Sequence, residues 1–268
     1  MGTHSNSETL RRIQAGLEAA RMVFSGFTAG AIQTQYKTGD DPVTAADHAV
    51  DAVLRENLLR DGEGWLSEET VDDSSRLEKS RVWVVDPLDG TREFVAGIPE
   101  FCVSIAMVEN GVPIAGGICN PATSETFIGS LETGVTYNGK PARPSQRAKL
   151  EGSLVLASRS EVKRGDWDAF QGTSLSIKAM GSVAYKLALV SAGLADVTFT
   201  LTPKNEWDVA AGAALVMAAG GHVQTLENAP LRCNREDPLL SGLIACGPNL
   251  RDELVSLLSD YLQPASRR

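Results

Sequence analysis

The chain of 268 residues lacks the features that would place it in a membrane or in an oxidising compartment. No segment reaches the run of about 18 apolar residues that a membrane-spanning helix needs. The first twelve residues contain no apolar core, so they are not typical of a secretory signal. The four cysteines lie far apart and form no Cys-x-x-Cys pair, which predicts buried, reduced thiols. We therefore expect a cytoplasmic protein with no membrane partner.

Positive charge is also scarce, and this restricts the partners. The chain carries 25 Lys and Arg against 34 Asp and Glu, a formal net charge of −9. Proteins that bind nucleic-acid polymers usually have a basic face, so we do not expect such a polymer as a partner. The three histidines are isolated and lack ligand spacing. In contrast, 43% of the residues are hydrophobic, enough to bury a large core in one domain or two joined lobes.

The apolar pattern predicts two sheets interleaved with helices. The sequence Asn110-Gly111 between two apolar runs is a strong hairpin signal. We predict an α+β layered fold with an N-terminal lobe of residues 1–146 and a C-terminal lobe of residues 147–268. The predicted helices are 8–34, 44–59, 182–192, 208–219 and 249–262, and the predicted strands are 101–109, 112–118, 125–130, 134–137, 153–157, 195–201 and 243–245.

The most informative segment joins a buried strand to a turn that carries two carboxylates. It spans residues 83–91 with the sequence WVVDPLDGT. Asp86 and Asp89 straddle the turn, so both side chains and the carbonyl of Leu88 can point into one cavity. All-oxygen sites of this kind suit hard divalent cations. The same residues are also typical of an ordinary Pro-x-Asp-Gly turn after a strand.

Acidic residues elsewhere favour the metal interpretation. Glu68 and Glu69 end a short apolar segment, and Asp208 opens an Ala-rich stretch. A solvated loop for the glutamates and a helix N-cap for Asp208 are the structural alternatives. Two like charges about 4 Å apart repel by roughly 4 kcal/mol at an effective dielectric near 20. Gathered carboxylates would therefore need protonation or cations, and Mg²⁺ fits this donor set.

Three motifs in a fixed order give the chain a resemblance to a known family. The Glu-Glu pair, the DPLDGT segment and the later sequence WDVAAG together resemble the inositol monophosphatase superfamily, from about Lys37 to Gly221. The resemblance implies a layered αβαβα sandwich like those of inositol monophosphatase and fructose-1,6-bisphosphatase. It also implies a Mg²⁺-dependent, typically lithium-sensitive phosphomonoesterase, often a homodimer, with a small phosphorylated metabolite as substrate.

The resemblance also implies a metal site with two or three Mg²⁺ ions. One ion would be held by Glu68, Asp86 and the Leu88 carbonyl, and Asp86 would bridge to a second. Asp89 and Asp208 would also hold the second ion, and a weaker third ion would lie near Glu68 and Glu69. The implied metal ligands are Glu68, Glu69, Asp86, Leu88, Asp89 and Asp208.

Catalytic roles follow from the same resemblance. Thr91, supported by Asp47, would orient the attacking water together with Glu68. The backbone N–H groups of Gly90 and Thr91 would cradle the phosphate. Asp47 also fits a capping box at a helix start, and the two roles are compatible.

Several short segments resemble the 3′(2′),5′-bisphosphate nucleotidase branch of the superfamily. They are DGTREF at 89–94, SRS at 158–160, GS with a lysine four residues later at 181–186, and PKNEWD at 203–208. Leu201 stands where inositol-specific members place a glutamate. Residues 96–105, however, resemble the inositol branch. The alternatives are an inositol-1-phosphate phosphatase, a histidinol-phosphate or broad small-molecule phosphatase, and an inactive binding or regulatory member of the fold.

A nucleotide substrate would need positive charge for its second phosphate. The candidate substrate-binding cations are Arg159, Lys186 and Lys204, with Lys186 favoured because a helix begins near Ser182. Each of these residues is more often an ordinary surface charge.

Overall fold

The computed structural model describes residues 6–36 and 42–262, so Lys37 lies outside it. Its helices are α1 (Asn6–Phe24), α2 (Ala45–Leu58), α3 (Thr91–Val95), α4 (Arg159–Arg164), α5 (Val183–Ser191), α6 (Glu206–Ala218) and α7 (Arg251–Leu262). Its first nine strands are β1 (Thr34–Tyr36), β2 (Pro42–Thr44), β3 (Gly64–Ser67), β4 (Arg81–Asp89), β5 (Cys102–Glu109), β6 (Val112–Asn120), β7 (Glu125–Ser130), β8 (Gly134–Tyr137) and β9 (Lys140–Ala142). Its later strands are β10 (Leu154–Ser158), β11 (Ser176–Met180), β12 (Val197–Thr200), β13 (Lys204–Asn205), β14 (His222–Thr225), β15 (Leu239–Leu240) and β16 (Leu243–Cys246). Short 3₁₀ turns occupy Ser75–Glu78 and Asp168–Phe170.

The larger sheet has seven strands in the order β3-β4-β5-β6-β7-β8-β9. Strands β3 and β4 are parallel, and every later pair in the sheet is antiparallel. The hairpin between β5 and β6 turns at Asn110 and Gly111, whose φ angles of 50° and 79° are those of a tight hairpin turn. This hairpin confirms the sequence prediction.

The layers follow from the alternation of side chains along β4. Trp83 and Val85 pack with α1 and α2 on one face, whereas Val82 and Val84 pack with α5 and α6 on the other. Helices α5 and α6 also contact the five-stranded sheet, whose order is β11-β10-β12-β16-β14. Helix α7 covers the outer face of that sheet. The αβαβα sandwich is therefore confirmed. The lobe boundary at residue 146 stays a prediction, since α5 and α6 are shared by both sheets.

Most predicted elements are present with ends shifted by one or two residues, but the first helix was predicted too long. Helix α1 ends at Phe24, ten residues before the predicted end. Ser25, Gly26 and Gly30 follow, and these residues favour turns over helix. Strand β11 was not predicted, because it is an edge strand whose side chains alternate between exposed and half-buried positions.

All four cysteines are buried and free, as predicted. Among the described residues, no helix is both long and apolar enough to cross a bilayer.

Candidate active site

The site begins where β4 departs from regular pairing. Asp86 pairs with Ser104 of β5, and Asp89 pairs with Cys102, so three steps along β4 match two along β5. This bulge allows both aspartates to face the same cavity, because a bulge re-aims the side chains that follow it. Asp86 accepts a hydrogen bond from the Leu88 N–H at 2.9 Å. The turn that was predicted at Asp86–Asp89 is therefore part of strand β4, at its irregular end.

A third carboxylate arrives from the start of α6. The alternative prediction of an N-cap at Asp208 is wrong, because Asn205 is the N-cap of α6. Asp208 is the third helical residue, and its Oδ2 accepts the N–H of Asn205 at 3.0 Å in a capping box. Its carboxylate nevertheless joins the other two: ligand oxygens of Asp86, Asp89 and Asp208 lie within 4.8 Å of one another. Glu68 lines the same cavity of about 270 Å³. The structure thus brings four of the predicted metal-ligand carboxylates to one place.

The electrostatics of this cluster are unfavourable without a cation. Burial raises the pKa of Asp86 well above its usual range, and the charges of Glu68, Asp89 and Asp208 raise it further. Burial likewise raises the pKa of Asp208, with added repulsion from Asp89 and Glu68. Buried carboxylates with no other donors than oxygen are the environment that hard divalent cations occupy. The donor set therefore fits a divalent metal.

Asp89 differs from the other two because the protein itself stabilises its charge. Burial raises its pKa, but hydrogen bonds and two lysines offset part of that effect. The Ser182 hydroxyl donates to Asp89 Oδ2 at 2.7 Å, and the Ala184 N–H donates at 2.6 Å. Ser182 holds this position with a φ of 53°, which is uncommon for a residue with a side chain. The start of α5 therefore binds a carboxylate of β4.

Thr91 and Asp47 meet as the resemblance implied. The Thr91 hydroxyl lies 3.2 Å from Asp47 Oδ1 and 2.9 Å from the Leu88 carbonyl oxygen, two acceptors for its one proton. The other oxygen of Asp47 accepts hydrogen bonds from the N–H and hydroxyl of Thr44, which completes a capping box at α2. Burial raises the pKa of Asp47. The capping box and the contact with Thr91 are thus both present, and the catalytic role of Asp47 stays a prediction.

Gly90 permits the close packing of this turn. Its φ is 98°, and a Cβ at this position would lie 2.8 Å from the Glu100 carbonyl oxygen. A residue with a side chain would meet both backbone strain and a clash.

The facing wall of the cavity carries the three predicted cations, and each already has partners. Lys204 Nζ lies 3.2 Å from Glu161 Oε1. Lys186 is buried, and its Nζ donates to the Ser182 carbonyl at 2.8 Å. Burial lowers the pKa of Lys186 to about 8.

Arg159 is paired with two carboxylates that lie on the other side of the predicted lobe boundary. Its Nε lies 3.4 Å from Glu93 Oε1, and its Nη2 donates to Glu100 Oε2. The same Glu100 oxygen accepts the Gly181 N–H at 2.8 Å. Arg159 is therefore less available to an anion than an unpaired arginine would be.

Sequence reasoning missed several groups in or behind this cavity. Glu93 and Trp207 line it, and Glu161 is fully buried behind Lys204. No local signal marks Glu161, since it comes from a short helix that was not predicted. Glu69 has a different environment from Glu68: its carboxylate lies 3.7 Å from His48 Nδ1.

Comparisons with known proteins identify the family of the chain. The family model described as the inositol monophosphatase family matches residues 6–263. The inositol-1-monophosphatase of Mesorhizobium japonicum is 31% identical over 266 residues, covering 96% of each chain. The 3′-phosphoadenosine 5′-phosphate phosphatase of Mycobacterium bovis is 31% identical, covering 82% of this chain and 84% of that one. The solved inositol monophosphatase from Anabaena superposes with a TM-score of 0.79 at 29% identity, covering 98% of this chain and 99% of that one.

Proposed function

Since the chain belongs to the inositol monophosphatase family and is a metal-dependent phosphomonoesterase, we propose that its substrate is a nucleoside 3′(2′),5′-bisphosphate. The product from adenosine 3′,5′-bisphosphate would be AMP and phosphate. One observation carries the proposal: the cavity that holds the acidic cluster is also lined by Lys186 and Lys204. A substrate with two phosphates matches both ends of such a cavity.

The metal in this proposal is Mg²⁺, with two or three ions per site. Glu68, Asp86, the Leu88 carbonyl, Asp89 and Asp208 would hold two of them, and Glu69 stays the predicted ligand of a third. When bound, such cations offset developing negative charge and make an attacking water more acidic. Oxygen donors and raised carboxylate pKa values support this assignment.

The chain's own residues then position the reactants. Thr91 and Asp47 would orient the attacking water, with Glu68 as the third member of that set and its general base. The Thr91 hydroxyl is suited to this role because Asp47 and the Leu88 carbonyl fix its oxygen from two sides. The N–H groups of Gly90 and Thr91 would cradle the phosphate that is cleaved, since glycine lets a ligand approach the backbone closely.

The second phosphate would be bound by the lysines of the facing wall. Glu161 neutralises part of the Lys204 charge, but Lys186 is held by backbone carbonyls that carry no formal charge. Lys186 therefore has no carboxylate among its hydrogen-bond acceptors in the described part of the chain. Lys186 is the group on which this part of the proposal depends most.

An inositol-1-phosphate phosphatase is the second candidate. It is favoured by the resemblance of residues 96–105 and by the Mesorhizobium japonicum relative. Leu201 argues against it, because its side chain packs with the apolar cluster beneath the five-stranded sheet and offers no hydrogen-bond acceptor. A homodimer and a cytoplasmic location remain predictions of the sequence.

A substrate panel tests the proposal. The values of kcat/KM would be compared for adenosine 3′,5′-bisphosphate, inositol 1-phosphate, histidinol phosphate and fructose 1,6-bisphosphate, with and without Mg²⁺ and over a lithium titration. We expect the nucleotide to give the highest value, only with Mg²⁺, and lithium to inhibit. A higher value for any other ester would refute the substrate assignment, and no turnover on any of them would favour an inactive binding member of the fold.

A further inference from the structure

The wall that faces the acidic cluster is divided into two corners of opposite character. The basic corner contains two lysines and one carboxylate, whereas the acidic corner contains two carboxylates and one arginine. The basic corner consists of Lys186, Lys204 and Glu161, and the acidic corner consists of Arg159, Glu93 and Glu100. The two corners adjoin at Gly181, whose carbonyl lies 3.4 Å from Lys186 Nζ and whose backbone packs on Glu93. Because carboxylates outnumber the arginine at the acidic corner, a second phosphate is disfavoured there.

We propose that Glu93 in the acidic corner is a specificity-determining residue that accepts hydrogen bonds from substrate hydroxyl groups. This inference rests on the proposed phosphatase site, but it does not depend on a nucleotide being the substrate. Ribose and polyol esters both carry hydroxyls next to the phosphate. Glu93 would therefore favour hydrolysis of a ribose ester or a polyol ester over hydrolysis of an ester without hydroxyls.

The position of the Glu93 carboxylate is fixed by the residues around it. Its side chain is 12% exposed, and it lines the cavity. The carboxyl group packs on the backbone of Gly181, where a Cβ would lie 2.3 Å from Glu93 Cδ. Arg159 Nε lies 3.4 Å from Glu93 Oε1, an ion-pair contact in which this N–H makes no hydrogen bond. A ligand thus meets a carboxylate that is already oriented, which reduces the entropy lost on binding.

The chemistry of this corner suits hydroxyls better than anions. An ionised carboxylate offers about four acceptor sites, more than one arginine contact fills. Arg159 is shared with Glu100, so two carboxylates divide one positive charge. An additional phosphate here would be repelled, while a hydroxyl gains a charge-assisted hydrogen bond. A site built to bind hydroxyls discriminates strongly against substrates that lack them.

Two matched esters isolate this role. Glycerol 2-phosphate and isopropyl phosphate share the same branched carbon skeleton and the same charge, and they differ by two hydroxyls. Glycerol is the better leaving group, so the readout is the change in the kcat/KM ratio between variants. The variants are Glu93→Gln, which keeps a neutral acceptor, and Glu93→Leu, which has none. Glu132→Gln, in an exposed turn, serves as the control.

We expect Glu93→Leu to lower the ratio by about tenfold or more, mainly through glycerol 2-phosphate, and Glu93→Gln to lower it by less. Glu132→Gln should leave the ratio unchanged. The melting temperature and the Mg²⁺ concentration for half-maximal isopropyl phosphate hydrolysis should stay near the wild-type values in all variants. An equal loss on both esters, or an unchanged ratio in Glu93→Leu, would overturn the inference. Failure to cleave adenosine 3′,5′-bisphosphate would remove only the nucleotide assignment, because neither ester contains a nucleotide.

Discussion

At one end of the cavity the protein gathers like charges, whereas on the facing wall Arg159 and Lys204 lie beside carboxylates and Lys186 is held by backbone carbonyls. Burial and mutual repulsion raise the pKa values of Asp86 and Asp208 at the first end. On the wall, Glu161 balances Lys204, and its own pKa is lowered despite burial. The acidic cluster needs a cation from outside the chain to balance its negative charge, and the facing wall does not. The acidic cluster is therefore suited to bind a metal cofactor, and the facing wall is suited to distinguish between substrates.

The largest loss of activity should follow the removal of one carboxylate charge from the acidic cluster. We expect Asp86→Asn to lower kcat/KM by about 10³-fold, because metal binding contributes several kcal/mol to stabilising the transition state. The same change removes repulsion, so the metal-free melting temperature should not fall. Steady-state kinetics and thermal unfolding in chelator measure the two effects. Asp61→Asn, on an exposed loop, is the control. Activity within tenfold of wild type would contradict a metal site at Asp86.

Cation binding should stabilise the protein, and more so at neutral than at acidic pH. The folded-state pKa values of Asp86, Asp89 and Asp208 are raised above the unfolded value of about 4. The contribution of these three groups to the metal-free stability is therefore most favourable below that pH and is lost as the pH rises towards their folded-state pKa values. At about 100 times Kd, a ligand adds roughly 2.7 kcal/mol, or about 5–10 °C in Tm.

The measurement is Tm with saturating MgCl₂ or with chelator, at about pH 5 and about pH 7.5. We expect the larger Mg²⁺ shift at the higher pH, and a weaker pH dependence in Asp86→Asn. A shift of the same size at both pH values would mean that the cation does not replace protons on this cluster.

Substitutions at Thr91 test whether the residues at the acidic cluster position a reactant as well as bind a cation. Thr91→Val keeps the shape of the side chain and removes the hydroxyl that lies between Asp47 and the Leu88 carbonyl. We expect kcat to fall about 10²-fold with little change in KM, because loss of a proton-orienting group slows the chemical step. Thr91→Ser, which restores the hydroxyl, should recover most of the activity. If the valine and serine variants behaved alike, the hydroxyl would have no such role.

The difference between the acidic cluster and the facing wall also explains which parts of the site could be predicted from the sequence. Asp86, Leu88 and Asp89 lie in one short segment, so their convergence follows from a single strand end and its bulge. Asp208 could be added because it opens a strongly apolar helix. Apolar periodicity along long elements also predicted two sheets interleaved with helices, whereas the αβαβα order of the layers was implied by the resemblance.

The wall could not be predicted in the same way. Glu93, Glu100, Arg159 and Gly181 meet only after two sheets have packed around shared helices. No spacing along the chain encodes those pairings, and the cations are therefore indistinguishable from surface charges in the sequence. Strand β11 and helix α4, which position this wall, are short and lack a strong apolar pattern.

The smallest expected effect follows a substitution of Lys186, and we expect it for a bisphosphate substrate but not for a monophosphate. Lys186→Met keeps the apolar stem and removes the charge that the proposal assigns to the second phosphate. Adenosine 3′,5′-bisphosphate and adenosine 3′-monophosphate differ only in that phosphate. We expect KM for the bisphosphate to rise about tenfold and KM for the monophosphate to change less than about twofold. Lys178→Met, on the exposed edge strand β11, should change neither.

A pH profile then separates charge from packing at Lys186. Burial lowers its pKa to about 8, so the ammonium loses its proton as pH rises through that value. If this charge binds the second phosphate, KM for the bisphosphate should increase above about pH 8 in the wild-type enzyme and stay flat there in Lys186→Met. The monophosphate should show no such increase in either protein. An identical rise in KM with pH in both proteins, or equal losses on both nucleotides, would mean that Lys186 supports the fold of the wall and does not recognise the substrate.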